Sequence, residues 1–289
     1  MWRSTRIAAR ARLMEFETML TNEDFDLLIA YDLIAKDADR AAMLGEQALD
    51  DADLLAQSAW DMPNARAGLQ GAAAALKQSA YCASALTLVS LLAARDLDER
   101  IRLLEIALRA GEGALGARLA DEAGKLGATP RGLAYLEARQ HLASAISVRG
   151  EREAGYAHWR EVLRLDPSDP AKCSFDFADA LIDGEKYDEA NEILAGVTEE
   201  GGARGAYARA LLAFATKAAD ADAKLDAAVK ANGFAPAYLI GDRKPPKTTP
   251  MEVPPGGREE AGVIAVNAGA AWARVPGAIA WLRTAKTKR

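Results

Sequence analysis

Between Arg152 and Ala231 one helical pattern recurs three times: a small or apolar residue, an aromatic or leucine four places on, a small residue or valine three places later, then a breaker. The copies run Gly155, Trp159, Val162, Leu165, Asp166, Pro167; then Ala190, Leu194, Val197 with Gly201 and Gly202; then Ala221, Leu225, Ala228, Gly233. Spacings of three and four residues place each set on one face of a helix. A period of about 34 residues marks units that bury an apolar face only by stacking on one another. The pattern therefore predicts a scaffold of stacked helical hairpins, and protein binding as its class of function.

Composition supports helices packed through small side chains. The chain of 289 residues is rich in alanine and modest in valine, isoleucine and aromatics, which disfavours a sheet. Its 42 Asp and Glu against 36 Lys and Arg give an acidic balance that does not favour nucleic acid as a partner. Basic residues gather at the two ends, Arg3, Arg6, Arg10 and Arg12 at one and Arg283, Lys286, Lys288 and Arg289 at the other, and read as solvated tails. Cys82 and Cys173 are too few for a disulfide framework and read as small buried side chains in a reducing compartment. No apolar run reaches the length of a bilayer span, and acidic residues from Glu15 to Asp26 interrupt any signal-like start; the cytoplasm is the expected location.

Helix follows helix along the chain. Thr21 or Asn22 can cap a helix bearing Phe25, Leu28, Ile29, Leu33 and Ile34, with a partner from Asp37 to Leu49. Asp51 to Trp60 is a short element, broken at Met62 and Pro63, and an alanine-rich helix runs to Gln78. Ala83 to Arg95 pairs with a helix capped by Asp98 and carrying Ile101, Leu104, Ile106 and Leu108. Glycines from Gly111 to Gly127, closing at Pro130, break the period and mark a joint. Pro130 or Gly132 then opens a long helix, Asp169 with Pro170 starts the next pair, and Tyr187 opens its second member. The expected organisation is an irregular helical-hairpin array over 1–116, a Gly-rich joint over 117–130, repeats over 131–241, and a proline-rich strap with capping helices over 242–289.

Two segments carry a family resemblance. Glu185-Lys186-Tyr187-Asp188-Glu189-Ala190 resembles the turn and second-helix opening of tetratricopeptide repeats, and Leu163-Arg164-Leu165-Asp166-Pro167 resembles a repeat end. A narrower likeness includes Ile106 to Glu112, Ala114 to Gly116, Pro236 to Gly241, Ala271-Trp272 and Pro276 to Leu282. These are similar to bacterial tetratricopeptide proteins related to the suppressor-of-tumorigenicity-seven proteins, over residues 90 to 285. The resemblance implies an all-α, right-handed α-α superhelix and carries no catalytic residue or cofactor. Ala117 to Gly127 and Ala265 to Ala271 depart from it in lacking aromatics, as expected of a divergent member serving one dedicated partner.

Pro245, Pro246, Pro250, Pro254 and Pro255 make Arg243 to Gly257 an extended strap, followed by a helix opened by Glu259 and Glu260 and a last helix with Trp281. This unit either caps the last repeat, as terminal repeats require, or docks a partner peptide through the strap with Trp272 or Trp281. Lys172, Arg204 and Arg209 fall on first helices of successive units, which the resemblance implies line the inner surface, so that they either clamp an acidic peptide end or form a solvated face; Asp176 and Asp179 with Asp183 form an acidic ridge that is a solvated face or the lining of a groove. His141 and His158 lie on neighbouring helices and can approach each other, but no metal-ligand set completes them. No phosphate loop, nucleophile elbow or metalloprotease pair is present. The expected function is a noncatalytic adaptor or assembly factor that binds another protein and needs no cofactor or metal. The alternatives are a permanently incorporated structural subunit and, more remotely, an enzyme using the histidine and carboxylate neighbourhood.

Overall fold

Helices that meet through alanine and glycine approach closely but bury little apolar surface per residue, so each needs several neighbours to be held. The computed structural model, which describes residues 44–169, 172–197, 202–245 and 253–287, follows that requirement. Every regular element among the described residues is helical and no strand occurs among them. The chain divides between Ala171 and Lys172 into two compact units. The helix expected around Phe25 to Ile34 lies outside the described residues, and the expected division between a partner helix ending at Leu49 and a short element from Asp51 is not found, because Glu46–Trp60 is one continuous helix.

The first unit contains α1 (Glu46–Trp60), α2 (Ala65–Gln78), α3 (Ala83–Leu92), α4 (Leu97–Leu115), the single turn α5 (Arg118–Asp121), a 3₁₀ turn (Leu126–Ala128), α6 (Pro130–Arg149) and α7 (Arg152–Leu165). Hairpin partners α1–α2, α3–α4 and α6–α7 pack together, and α3 and α4 both pack on α6. Ala52, Ala56 and Ala59 of α1 and Ala72 and Ala75 of α2 are buried where the first pair meets. A Cβ at Gly71 would stand 2.7 Å from the Ala59 Cβ, so this contact is set by the absence of a side chain.

Local chemistry sets the helix ends. The Asn64 side chain accepts from Ala67 N–H to cap α2, and Thr129 accepts from Gly132 N–H to cap α6, with Pro130 in the favoured first-turn position. The cap of α4 is Asp96, which accepts from Glu99 N–H; Asp98, the expected cap, lies within the first turn instead. The glycine-rich stretch before α6 is pinned to the end of α7. Gly124 N–H donates to Leu165 O at 2.7 Å, and the buried Asp166 carboxylate accepts from Gly127 N–H at 2.8 Å. Gly132 sits under the 3₁₀ turn, where a Cβ would lie 1.9 Å from Leu126 O.

The second unit contains α8 (Ser174–Asp183), α9 (Tyr187–Gly196), α10 (Gly202–Ala215), α11 (Ala221–Ala231), the short α12 (Ala235–Leu239), α13 (Arg258–Arg274) and α14 (Ala278–Thr287). The α8 helix starts at Ser174, not at the expected Asp169–Pro170. Asp169 has a left-handed φ of 51° where an N-cap takes extended backbone, and Pro170 lies outside the described residues. Hairpins α8–α9 and α10–α11 pack internally, and α8 and α9 both pack on α10. The helix α13 lies against α8, α10 and α12, and α14 against α10, α11, α12 and α13. No single described helix is long and apolar enough to cross a membrane. Although α13 and the start of α14 together have suitable composition, they bend by 117°, and Ile264 and Trp272 are buried within the unit.

Gly155, first residue of the first repeat copy, explains why that position must be small. A Cβ there would lie 1.9 Å from Ser147 Oγ and 2.8 Å from Ala143 O of α6. Gly155→Ala is expected to lower unfolding free energy by roughly 1–3 kcal/mol. Gly269→Ala in α13, where nothing lies within 4 Å of the added carbon, should be neutral or gain up to about 1 kcal/mol. Urea denaturation of both variants beside the parent chain checks this.

Candidate functional site

The residues singled out from the sequence in the second unit are largely engaged with one another. The Arg204 guanidinium, on α10, donates to Asp176 at 3.2 Å and to Asp179, both on α8, and lies over the Phe175 ring. Burial pushes the Asp179 carboxyl up to about 6 against the pull of Arg204. Arg209 donates to the carbonyls of Leu194 and Val197, satisfying the C-terminal end of α9. Asp183 pairs with Arg274 of α13 at 2.8 Å. Lys172 does not lie on α8 as expected: it is exposed ahead of the helix, which starts at Ser174, and its left-handed φ of 56° is not helical.

The two C-terminal tryptophans belong to one aromatic stack. Trp272 is fully buried, edge-on to Tyr207 of α10 and stacked on Trp281, with both pairs of centroids 6.1 Å apart. Trp281 stacks on Phe214 at 4.6 Å, and its indole N–H donates to Asp222. Asn232 fastens the ground beneath. Its carbonyl oxygen atoms accept from Tyr207 O–H, Phe234 N–H and Ala235 N–H, and its amide donates to Gly257 O and Glu260. The middle of the proline strap, 246–252, lies outside the described residues. Its far end is held by Glu260, which accepts from Gly256 N–H.

The first unit holds an open cleft of about 930 Å³ that the sequence reading did not single out. One wall is a face of α1, with Glu46, Asp50, Leu54, Gln57 and Asp61 at helical spacing; the other is a face of α6, with Pro130, Ala134, Glu137 and His141. Trp60 and Ser84 also line it, and the indole N–H donates to Ser84 Oγ at 2.9 Å. Leu54 is 63% exposed and Trp60 39%, so the cleft presents large apolar side chains to solvent.

Arg131 joins the two walls at one end. From α6 its guanidinium reaches Glu46 at 3.1 Å, Asp50 at 2.8 Å and Asp53 at 3.1 Å, all on α1. Burial opposes the Arg131 charge, but hydrogen bonds to Glu46 and Asp53 outweigh it and raise its pKa. The Arg131 hydrogen bond holds Glu46 below the usual carboxylate range. Burial pushes Asp53 above it in spite of the arginine. Beneath them the Cys82 thiol lies 3.7 Å from Asp53 Oδ1, and burial drives it up to about 12, so it is an inert thiol at neutral pH.

Along the same wall, burial alone raises the Glu137 carboxyl, and no cation of the described chain pairs with it or with Asp61. His141 is depressed to about 4 by burial and by the Arg100 charge. His158 faces Arg139, 3.3 Å from its Nη1, and is lowered by burial and that arginine. The two histidines share no hydrogen bond, and the described residues hold no group of His, Cys, Asp and Glu arranged for a metal ion.

The chain matches no protein-family model, no curated protein and no solved structure.

His141 gives the first unit a pH signature. Its folded pKa, about 4, lies below the ordinary histidine value of 6.5, so its contribution is fully present above 6.5 and is lost as pH falls toward 4. Unfolding free energy should fall by roughly 2 kcal/mol more in the parent than in His141→Gln over that interval, after discounting for partial exposure. Urea titrations of both chains at several pH values read the difference.

Proposed function

We propose that this protein is a noncatalytic, protein-binding scaffold, an adaptor or assembly factor, and that the α1–α6 cleft of its first unit is the binding surface. The observation that carries the reading is the contrast in use of the candidate surfaces. In the second unit, α13 lies on α8 and α10, and Arg204, Arg209, Trp272 and Trp281 are engaged inside the unit. In the first unit, Leu54 and Trp60 remain exposed in a cleft as long as a helix, beside carboxylates that no cation of the described chain neutralises. Exposed apolar side chains gathered in a concavity are a mark of interaction sites.

The stacked hairpins of the second unit, together with the Glu185–Ala190 and Leu163–Pro167 segments, support a tetratricopeptide-like lineage for this scaffold. On that reading α13 and α14 complete the repeat array by covering it, as terminal repeats require. A permanent structural subunit is the second reading, favoured by Val266, which is 62% exposed on α13 of the second unit.

Mild affinity purification of the tagged full chain from its native cell tests the choice. The scaffold reading expects a stoichiometric protein partner that is lost with Leu54→Asp or Trp60→Ala and kept with Val266→Asp. Loss with Val266→Asp alone selects the subunit reading, and the absence of any partner contradicts both.

A further inference from the structure

The cleft carries information about the chemistry of what it binds. Its α1 wall runs from Glu46 to Asp61, about 22 Å at the rise of an α-helix, which is the length of a four-turn peptide. Its lining is divided by character. Leu54, Trp60, Leu133 and Ala134 are its apolar lining, and acidic side chains are present on both the α1 and the α6 wall. The carboxylates Glu46, Asp50, Asp53, Asp61 and Glu137 face two cations, Arg118 and Arg131.

The distribution of that charge is uneven. Arg131 engages Glu46, Asp50 and Asp53, and Arg118 engages Glu46 again at 3.2 Å, so both cations act at one end. Among the described residues no cation pairs with Asp61 or Glu137. The Arg131 end shows how this cleft accommodates a guanidinium, with one fork spread over three carboxylates on successive turns of α1. At the other end Trp60 adds an indole beside Asp61, and an indole face attracts an arginine as readily as it does an apolar side chain. A half-buried carboxyl raised by desolvation, as Glu137 is, gains most from a cation that enters with it.

We propose that the α1–α6 cleft receives an arginine-bearing amphipathic helical segment of another protein, its apolar face on Leu54, Trp60 and Leu133 and a guanidinium on Asp61 or Glu137. The proposal rests on the reading of this cleft as the protein-binding surface and adds the chemistry of the partner. An acidic peptide is disfavoured here by the same carboxylates, and complementarity of this kind sets specificity and association rate as much as affinity.

The probes are two fluorescent 15-residue peptides with leucine at helical i, i+3, i+4 and i+7 positions, one carrying arginine and the other glutamate at the intervening sites. Anisotropy titrations use the full chain. The arginine peptide is expected to bind at least about tenfold more tightly than the glutamate peptide. Leu54→Ser and the double variant Asp61→Asn with Glu137→Gln should each weaken it by about five- to tenfold, whereas Val148→Ser, at an exposed apolar site outside the cleft lining, should leave it unchanged. Unchanged circular dichroism and thermal midpoint in each variant establish that the fold is intact.

Equal binding of both peptides, or an equal loss with Val148→Ser, overturns the proposal as non-specific adhesion. Tighter binding by a chain carrying Arg3→Glu and Arg10→Glu would name the chain's own N-terminal segment as the occupant, and dimerisation that competes with the peptide would name a second copy; either overturns it. If neither peptide binds while a cellular partner is still lost with Leu54→Asp, the partner chemistry is wrong and the scaffold reading stands. If no such partner exists either, both fail.

Discussion

Close approach through alanine and glycine is the constraint on which this structure depends. Gly68 and Gly71 of α2 lie directly against Ala59 of α1, and Ala52, Ala56, Ala72 and Ala75 of the same two helices are fully buried, so little side-chain volume separates the backbones. Such contacts fix helix positions tightly, because an added methyl group has nowhere to go. They also bury little area per helix, so larger residues elsewhere must supply the rest of the core. In the second unit these are Tyr207, Phe177 and Trp272; in the first they are Tyr135, Tyr156, Trp159 and the leucines of α3, α4 and α6.

The two units meet that requirement in different ways. Around α8 and α10 the buried pair Arg204–Asp179 and the stack of Trp272, Trp281 and Phe214 accompany α13 onto the first helices of both hairpins. Asn232 links that arrangement to the chain returning from the strap, since the side chain that receives the N–H groups opening α12 also grips Gly257 and Glu260. In the first unit α1 is packed on one side by α2 and α3, while on the other side Arg131 spans a cleft to reach it. An ion pair across an open cleft fixes the spacing of two walls without filling the space between them. That geometry leaves Leu54, Trp60 and Glu137 available to something outside the unit.

Much of the architecture could be read from the sequence. The period of small and aromatic residues from Gly155 to Ala228 predicts the hairpins α6–α7, α8–α9 and α10–α11, because Gly155, Trp159, Val162, Ala190, Leu194, Leu225 and Ala228 are buried, whereas Val197 and Ala221 are only partly so. Turn chemistry at Pro130, Gly184 and Tyr187 places helix ends within a residue or two. Competing caps were harder, since Asp96 and Asp98 have the same chemistry and only the backbone path selects Asp96. The surfaces were harder still. Arg204 and Asp179 reveal residue types that pair, but whether they pair with each other or with a partner depends on which helices become neighbours. The cleft signal, acidic and apolar residues interleaved at Asp50, Leu54, Gln57 and Asp61, resembles an ordinary solvated helix face until α6 is set opposite it.

The central claim is that the α1–α6 cleft stands open while the tryptophan core of the second unit is closed. Hydroxyl-radical footprinting of the isolated full chain, read residue by residue by mass spectrometry, measures both in one sample. The structure predicts rapid labelling of Leu54 and Trp60 and strong protection of Trp272, with Trp281 between them. Labelling of Trp272 at the rate of Trp60 would show that α13 does not cover the second unit, and protection of Leu54 and Trp60 would show that the cleft is already occupied; either result contradicts the account.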